Sequence, residues 1–122
     1  MFTRNTEKLE SFVGTNSAFR GNIEAKGTLR IDGKLEGNVQ ADWVILGEKS
    51  SVKGDISARG IIVGGTVDGN LRAKEIIEIK AKGRVTGDTV TAKLTISEGG
   101  IFDGRSTMAR EESKIVEFQS KG

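Results

Sequence analysis

Four carboxylates, Asp55, Asp68, Asp88 and Glu98, are the side chains in this sequence best suited to act as general acids or bases. That chemistry needs a group with a tuned pKa held within hydrogen-bond reach of a proton. All four fall in positions that recur along the chain, where a turn or surface role accounts for them. Histidine and cysteine are both absent, so there is no imidazole base, no thiolate nucleophile and no Cys/His metal site. Glycine is plentiful, at 17 residues, but no G-x-x-x-x-G-K-[ST] phosphate loop occurs. The chain reads as a non-enzyme with no cofactor, and the residues of interest must do something other than catalysis.

Composition narrows what that is. Only 35% of residues are hydrophobic and 5% aromatic, which suits a narrow interior better than a broad globular core. Proline is absent, so the glycines belong to tight corners in an ordered ladder rather than to a linker or a collagen-like chain. No run of about 18 apolar residues suggests a membrane span. The opening MFTRNTEKLESFVG lacks the apolar stretch of a signal peptide, and the chain reads as cytoplasmic. The pI near 9.0 would fit a nucleic-acid or anionic-membrane partner. However, 19 basic residues stand against 17 acidic ones, with both signs interspersed, as on an ordinary mixed surface.

The decisive feature is an internal repeat. Copies begin at Phe19, Leu35, Val52, Val67, Val85 and Phe102, spaced 16, 17, 15, 18 and 17 residues apart. Two places on, every copy has glycine: Gly21, Gly37, Gly54, Gly69, Gly87 and Gly104. The next column reads Asn22, Asn38, Asp55, Asn70, Asp88 and finally Arg105. Ile23, Val39, Ile56 and Leu71 form an apolar column that lapses at Thr89, and Ala25, Ala41, Ala58 and Ala73 follow. Alternating pairs come next: Leu29/Ile31, Val44/Leu46, Ile61/Val63, Ile77/Ile79 and Leu94/Ile96. A small residue precedes each new copy by two places, at Gly33, Ser50, Gly65, Gly83 and Gly100.

Apolar spacing of two within each copy is strand alternation. One copy is three short strands with corners between them and cannot bury its inner face alone. Stacking copies closes an interior and pairs each strand with its equivalents above and below. The expected fold is all-β, a single-stranded parallel β-helix of about six turns and about 30 Å in length, with short flexible tails. The outward column Arg20, Glu36, Lys53, Asp68 alternates in charge, as neighbours on adjacent strands should. The expected organisation is a tail over 1–11, the coil over 12–108 and a C-terminal tail over 109–122. Val13-Gly14-Thr15-Asn16 looks like a partial copy before the first. Ile115, Val116 and Phe118 either trail with the tail or fold back to cap the last turn. Trp43 is expected to face outward or to sit at a corner, as a lateral contact or as a common surface aromatic.

Glycine–Asn/Asp columns at about 17-residue intervals, a short polar N-terminal tail and the ending Gly99-Gly100-Ile101-Phe102-Asp103-Gly104 resemble the bactofilins. The resemblance covers roughly residues 12 to 108. It implies a right-handed β-helix and a bacterial cytoskeletal scaffold that polymerises end to end into non-polar filaments without nucleotide. It also implies a place on the inner face of the cytoplasmic membrane, influence on cell shape, and cell-wall-modifying enzymes as partners.

The physics of an open coil agrees, since unpaired strand edges at both ends recruit another chain unless capped. Alternating two-fold contacts give an open filament without polarity. At the C-terminal end the expected polymerisation residues are Ile101, Phe102 and Met108. Phe102 matches the family's polymerisation residue, and it also continues the core column begun by Phe19. On that reading Phe102→Arg leaves a folded protein that no longer sediments as filaments. At the other end the candidates are Phe12, Val13 and Phe19. Met1, Phe2, Arg4 and Lys8 resemble the family's membrane-targeting peptide: two apolar residues to enter the interface and two cations for anionic headgroups. Glu7 and Glu10 weaken that charge.

Three other functions compete with this one. Acyltransferases with a left-handed β-helix show a hexapeptide rhythm and a catalytic histidine, neither of which is present. A nucleic-acid binder would use Lys26, Arg59 and Lys74 near one corner, but Asp42 interrupts them and no aromatic ladder accompanies them, so no specific nucleic acid is expected. A monomeric β-helical binding scaffold is the third.

Overall fold

The computed structural model describes residues 2–4, 14–109 and 115–119, with side chains over 14–108. All regular structure among these is strand, joined in one 15-stranded sheet that winds into a coil. Each turn has three faces. The first face stacks β2 (Ala18–Arg20), β5 (Lys34–Glu36), β8 (Ser51–Lys53), β10 (Thr66–Asp68) and the starts of β12 (Arg84–Thr91) and β14 (Ile101–Ala109). The second stacks β3 (Ile23–Ala25), β6 (Val39–Gln40), the starts of β9 (Ile56–Val63) and β11 (Leu71–Ile79), and the ends of β12 and β14. The third stacks β4 (Thr28–Ile31), β7 (Trp43–Leu46), the ends of β9 and β11, and β13 (Leu94–Ile96). The first and second faces therefore have six layers and the third has five, so the coil is five full turns and two faces of a sixth.

The register is the one the columns predict. Phe19, Leu35, Val52, Val67, Val85 and Phe102 are successive partners up the first face. The alternating pairs stack up the third face, Leu29 on Val44 on Ile61 on Ile77 on Leu94. These side chains form one narrow core from Leu29 to Phe102. In the outward column, Arg20 and Glu36 close to 3.0 Å, both well exposed. An exposed pair of this kind contributes only a few tenths of a kcal/mol.

Unequal copy lengths are absorbed at corners, leaving the strands in register. The longest copy has one extra residue between Ala73 and Ile77, where the pairing with β9 shifts, and two more between Ile79 and Val85. The corner after each first-face strand stays constant. Its glycines have positive φ, +140° at Gly54, and a Cβ there would lie 1.9 Å from the Gly37 carbonyl oxygen. The Asn/Asp column extends that corner along the coil. Asn22, Asn38, Asp55 and Asn70 each use Oδ1 to accept the N–H of their successor one turn on, at 3.0, 3.2, 3.1 and 3.2 Å. The column needs an acceptor only where another turn follows, which explains why it ends in Arg105 on the last layer.

The other recurrent corner is already present at Gly14, ahead of the first full copy. Ser17 N–H donates to the Gly14 carbonyl just as Ser50 N–H donates to Gly47, both at 3.0 Å. Gly83 to Lys80 and Gly100 to Ser97 repeat the bond.

Two features lie outside the regular apolar columns. First, the tails carry strands. The strand in the N-terminal tail departs from the flexible tail expected there, and the C-terminal fold-back is one of the two outcomes expected for Ile115, Val116 and Phe118. β1 (Phe2–Arg4) pairs in parallel with β3, Phe2 opposite Ile23 and Arg4 opposite Ala25. β15 (Ile115–Gln119) folds back antiparallel on the second half of β14, Ala109 opposite Ile115 and Arg105 opposite Gln119. Both segments meet an open sheet edge, and pairing satisfies backbone groups that otherwise require water. Second, the core turns polar near its C-terminal end. Thr89 and Ser106 continue the Ile23 column, fully buried, with no hydrogen-bond partner for either hydroxyl. Thr89→Val keeps the shape and removes an unpaired donor, so it should stabilise the coil by about 1 kcal/mol. Thermal melting should show a rise of about 4–8 °C; a fall would show that the hydroxyl has a stabilising role.

Candidate functional site

The two ends of the coil are the places where its repeating hydrogen bonds stop. At the N-terminal end β2 pairs only with β5, and β4 only with β7, among the described residues. Their outer edges on the first and third faces are open, while β1 covers β3 on the second. The C-terminal end has the same plan. Among the described residues, the Ile101–Gly104 stretch of β14 pairs only with β12, and β13 only with β11, while β15 covers the rest of β14. Among the described residues, each end thus leaves two faces open and has the second face covered by a strand from outside the repeat.

The expected polymerisation residues divide by layer. Ile101 is exposed on the outer side of the last first-face strand, and Met108 is half-buried. Phe102 is 1% exposed and stacks on Val85. It is a core residue of the last layer, so Phe102→Arg would strike the fold before it struck any contact between protomers. Phe19 is half-buried and packs against the core in the first layer. Phe12 and Val13 lie outside the described residues. Ile96 was not singled out in the sequence, since it looks like one more core position above Ile79. It is 38% exposed on the last layer of the third face. Column position alone does not mark it, since Phe102 also ends an inward column and is buried.

The four carboxylates are dispersed. Asp55 belongs to the corner ladder, Asp68 faces outward opposite Lys53, and Glu98 is exposed in the turn after β13. No group of three or more metal-binding side chains gathers among the described residues. In the basic corner column Arg59 is ion-paired with Glu75 at 2.6 Å, and Asp42 accepts the Gly27 N–H at 3.0 Å. On the third face Arg30 makes a two-point contact with Asp32, at 2.9 and 3.1 Å. That hydrogen bond, then the Coulomb attraction, raises the guanidinium's pKa. Of the membrane candidates, Phe2 and Arg4 lie in β1, while Met1 and Lys8 fall outside the described residues.

Comparison with known proteins fits an open-ended coil. Residues 11–107 match the model of the bactofilins, described as polymer-forming cytoskeletal proteins. The chain belongs to the bactofilin family. Among its bactofilin relatives, BacP of Myxococcus xanthus is 31% identical over 101 residues, 82% of this chain and 42% of BacP. BacO of the same organism is 28% identical over 110 residues, 89% of this chain and 87% of BacO. The chain therefore spans less than half of the first relative and most of the second. Its fold is similar to a bactofilin of Thermus thermophilus reconstructed as double helical filaments, with a TM-score of 0.67 at 22% identity. The match covers 80% of this chain and 99% of that one.

Proposed function

We propose that this bactofilin polymerises end to end, without nucleotide, into non-polar filaments on the inner face of the cytoplasmic membrane. There it supports cell shape and positions cell-wall enzymes. The observation that carries this reading is the pair of open edges at both ends of the coil. Stacking a second protomer on them continues the hydrogen-bond ladder and covers Ile96. Joining like ends, head to head and tail to tail, gives each contact a two-fold axis and the filament no direction. The driving force is edge pairing and apolar burial, so no hydrolysis step is required.

The membrane part rests on Met1, Phe2, Arg4 and Lys8. Pairing of β1 with β3 competes with insertion of Phe2 into lipid, so a single tail binds weakly and the many tails of a filament supply avidity. One pelleting experiment tests both parts. The full chain, free of nucleotide, should sediment as polymer. At low speed it should co-sediment with vesicles containing anionic lipid, and a variant lacking residues 1–8 should keep the first behaviour and lose the second. A soluble full chain would refute polymerisation; equal vesicle binding by both chains would refute the role of the tail.

A further inference from the structure

The third face differs from the other two on its outer surface. Over the middle turns the outward positions of the first face are Glu36, Lys53 and Asp68, and those of the second are Gln40, Ser57 and Arg72. The third face instead presents Ile45 directly under Ile62. Beside them Trp43 lies flat over Gly60, where a Cβ would fall 2.0 Å from the ring, and Ile76 follows in the same column. All four apolar side chains are half-buried by their neighbours on the coil, with the rest in solvent.

Charge frames this patch in a definite order. The middle column reads Arg30, Ile45, Ile62, Glu78 up the coil. The next column reads Asp32, Gly47, Gly64, Lys80, held in step by N–H bonds of 2.8–2.9 Å from Gly47, Gly64 and Lys80 to the turn before. One column runs positive, neutral, neutral, negative, and the other runs in the opposite sense. Each end is internally paired, Arg30 with Asp32 at 2.9 Å and Lys80 with Glu78 at 3.0 Å. The ends lie three strand spacings apart, about 14 Å.

We propose that this surface is a two-fold seam on which a second copy of the chain docks with its coil antiparallel. Rotation about an axis across the coil, between Ile45 and Ile62, sets each column against itself in reverse order. Arg30 then faces the second copy's Glu78, Asp32 faces its Lys80, and the isoleucines meet in the centre. All four end charges gain a partner of opposite sign. Parallel docking, about an axis running along the coil, meets only one requirement at a time. Centred on the Ile45 column it sets Arg30 against Arg30 and Glu78 against Glu78, and like charges across an interface penalise it. Centred between the two columns it pairs the charges but sets the isoleucines against Gly47 and Gly64. The antiparallel arrangement brings the opposite charges and the isoleucines together at once.

The patch is small, on the order of 200 Å² from the strand and residue spacings. A stable interface between free proteins buries about 800 Å² per partner. The seam therefore holds nothing together in isolated protomers. Repeated along two filaments it adds up, and antiparallel pairing suits filaments without polarity. In this respect the seam rests on the polymer reading above.

Negative-stain microscopy of the full chain tests the seam. The unaltered protein should give filaments paired side by side. Glu78→Lys, at a surface position, should leave filaments that are mostly single, with the paired fraction reduced several-fold. Adding Arg30→Glu should restore pairing, because the two positions are too far apart in one chain to compensate each other. Adding Arg72→Glu on the second face, which restores the same net charge, should not. Pairing unaffected by Glu78→Lys, rescue by both second substitutions, or an unaltered protein that forms only single filaments would each overturn the seam. Absence of any filament from the unaltered chain would overturn the polymer reading, and the seam with it.

Discussion

Gly54→Ala will lower the thermal midpoint of the coil by about 12 °C or more, while Gly14→Ala will leave it nearly unchanged. Both substitutions add a single methyl group. At Gly54 the backbone has φ +140°, and the added Cβ falls 1.9 Å from the Gly37 carbonyl oxygen. Relieving that contact means separating two turns, yet Gly54 N–H donates to Asp68 and Gly37 N–H to Lys53, at 3.0 and 2.9 Å. Strained backbone alone costs about 1–3 kcal/mol, and the clash with a fixed carbonyl adds to it. A total near 3 kcal/mol is a large part of the 5–15 kcal/mol that stabilises an ordinary domain. It translates into the stated shift at about 4–8 °C per kcal/mol. At Gly14 the nearest atom is Ser17 Oγ at 3.8 Å, ordinary contact. Equal midpoints for the two variants, measured by circular dichroism, would mean that the corner does not hold the turns together.

The second large effect is on assembly. Ile96→Arg should abolish sedimenting polymer while the β signal persists. Ile96 pairs with Ile79 one turn below, and no strand among the described residues pairs above it. In a free protomer a long arginine can bend its head into water from that open layer. Under a stacked protomer it cannot, and an unpaired buried charge costs several kcal/mol. Ile101→Arg, at the rim of the same end, should weaken polymer without abolishing it. Phe102→Arg should behave differently, losing thermal stability as well as polymer, because its ring is already inside the core. Sedimentation and melting of the three variants separate these outcomes. Normal polymer from Ile96→Arg would remove the C-terminal end from the contact.

The repeat made the coil legible because each column reports one environment. The columns from Phe19 to Phe102 and from Leu29 to Leu94 are readable as core from their spacing, and so is the glycine corner. Elements outside the repeat were harder. β15 runs antiparallel to the layer that it covers, so no columnar spacing announces it, and β1 is three residues long. The exposure of Ile96 and the burial of Phe102 are not legible from the columns, because both residues end an inward column and only one is exposed. Trp43 could be placed only as outward or at a corner. The register of Gly60 beneath its ring shows it lying on the third face.

The central claim is that the axis of the coil is the axis of the filament. Fibre diffraction from aligned filaments tests it most directly. Strands that cross the coil axis and continue from protomer to protomer should give a reflection near 4.8 Å along the filament direction. The same reflection perpendicular to the filament would mean that the coils lie side by side across it, and would contradict end-to-end stacking.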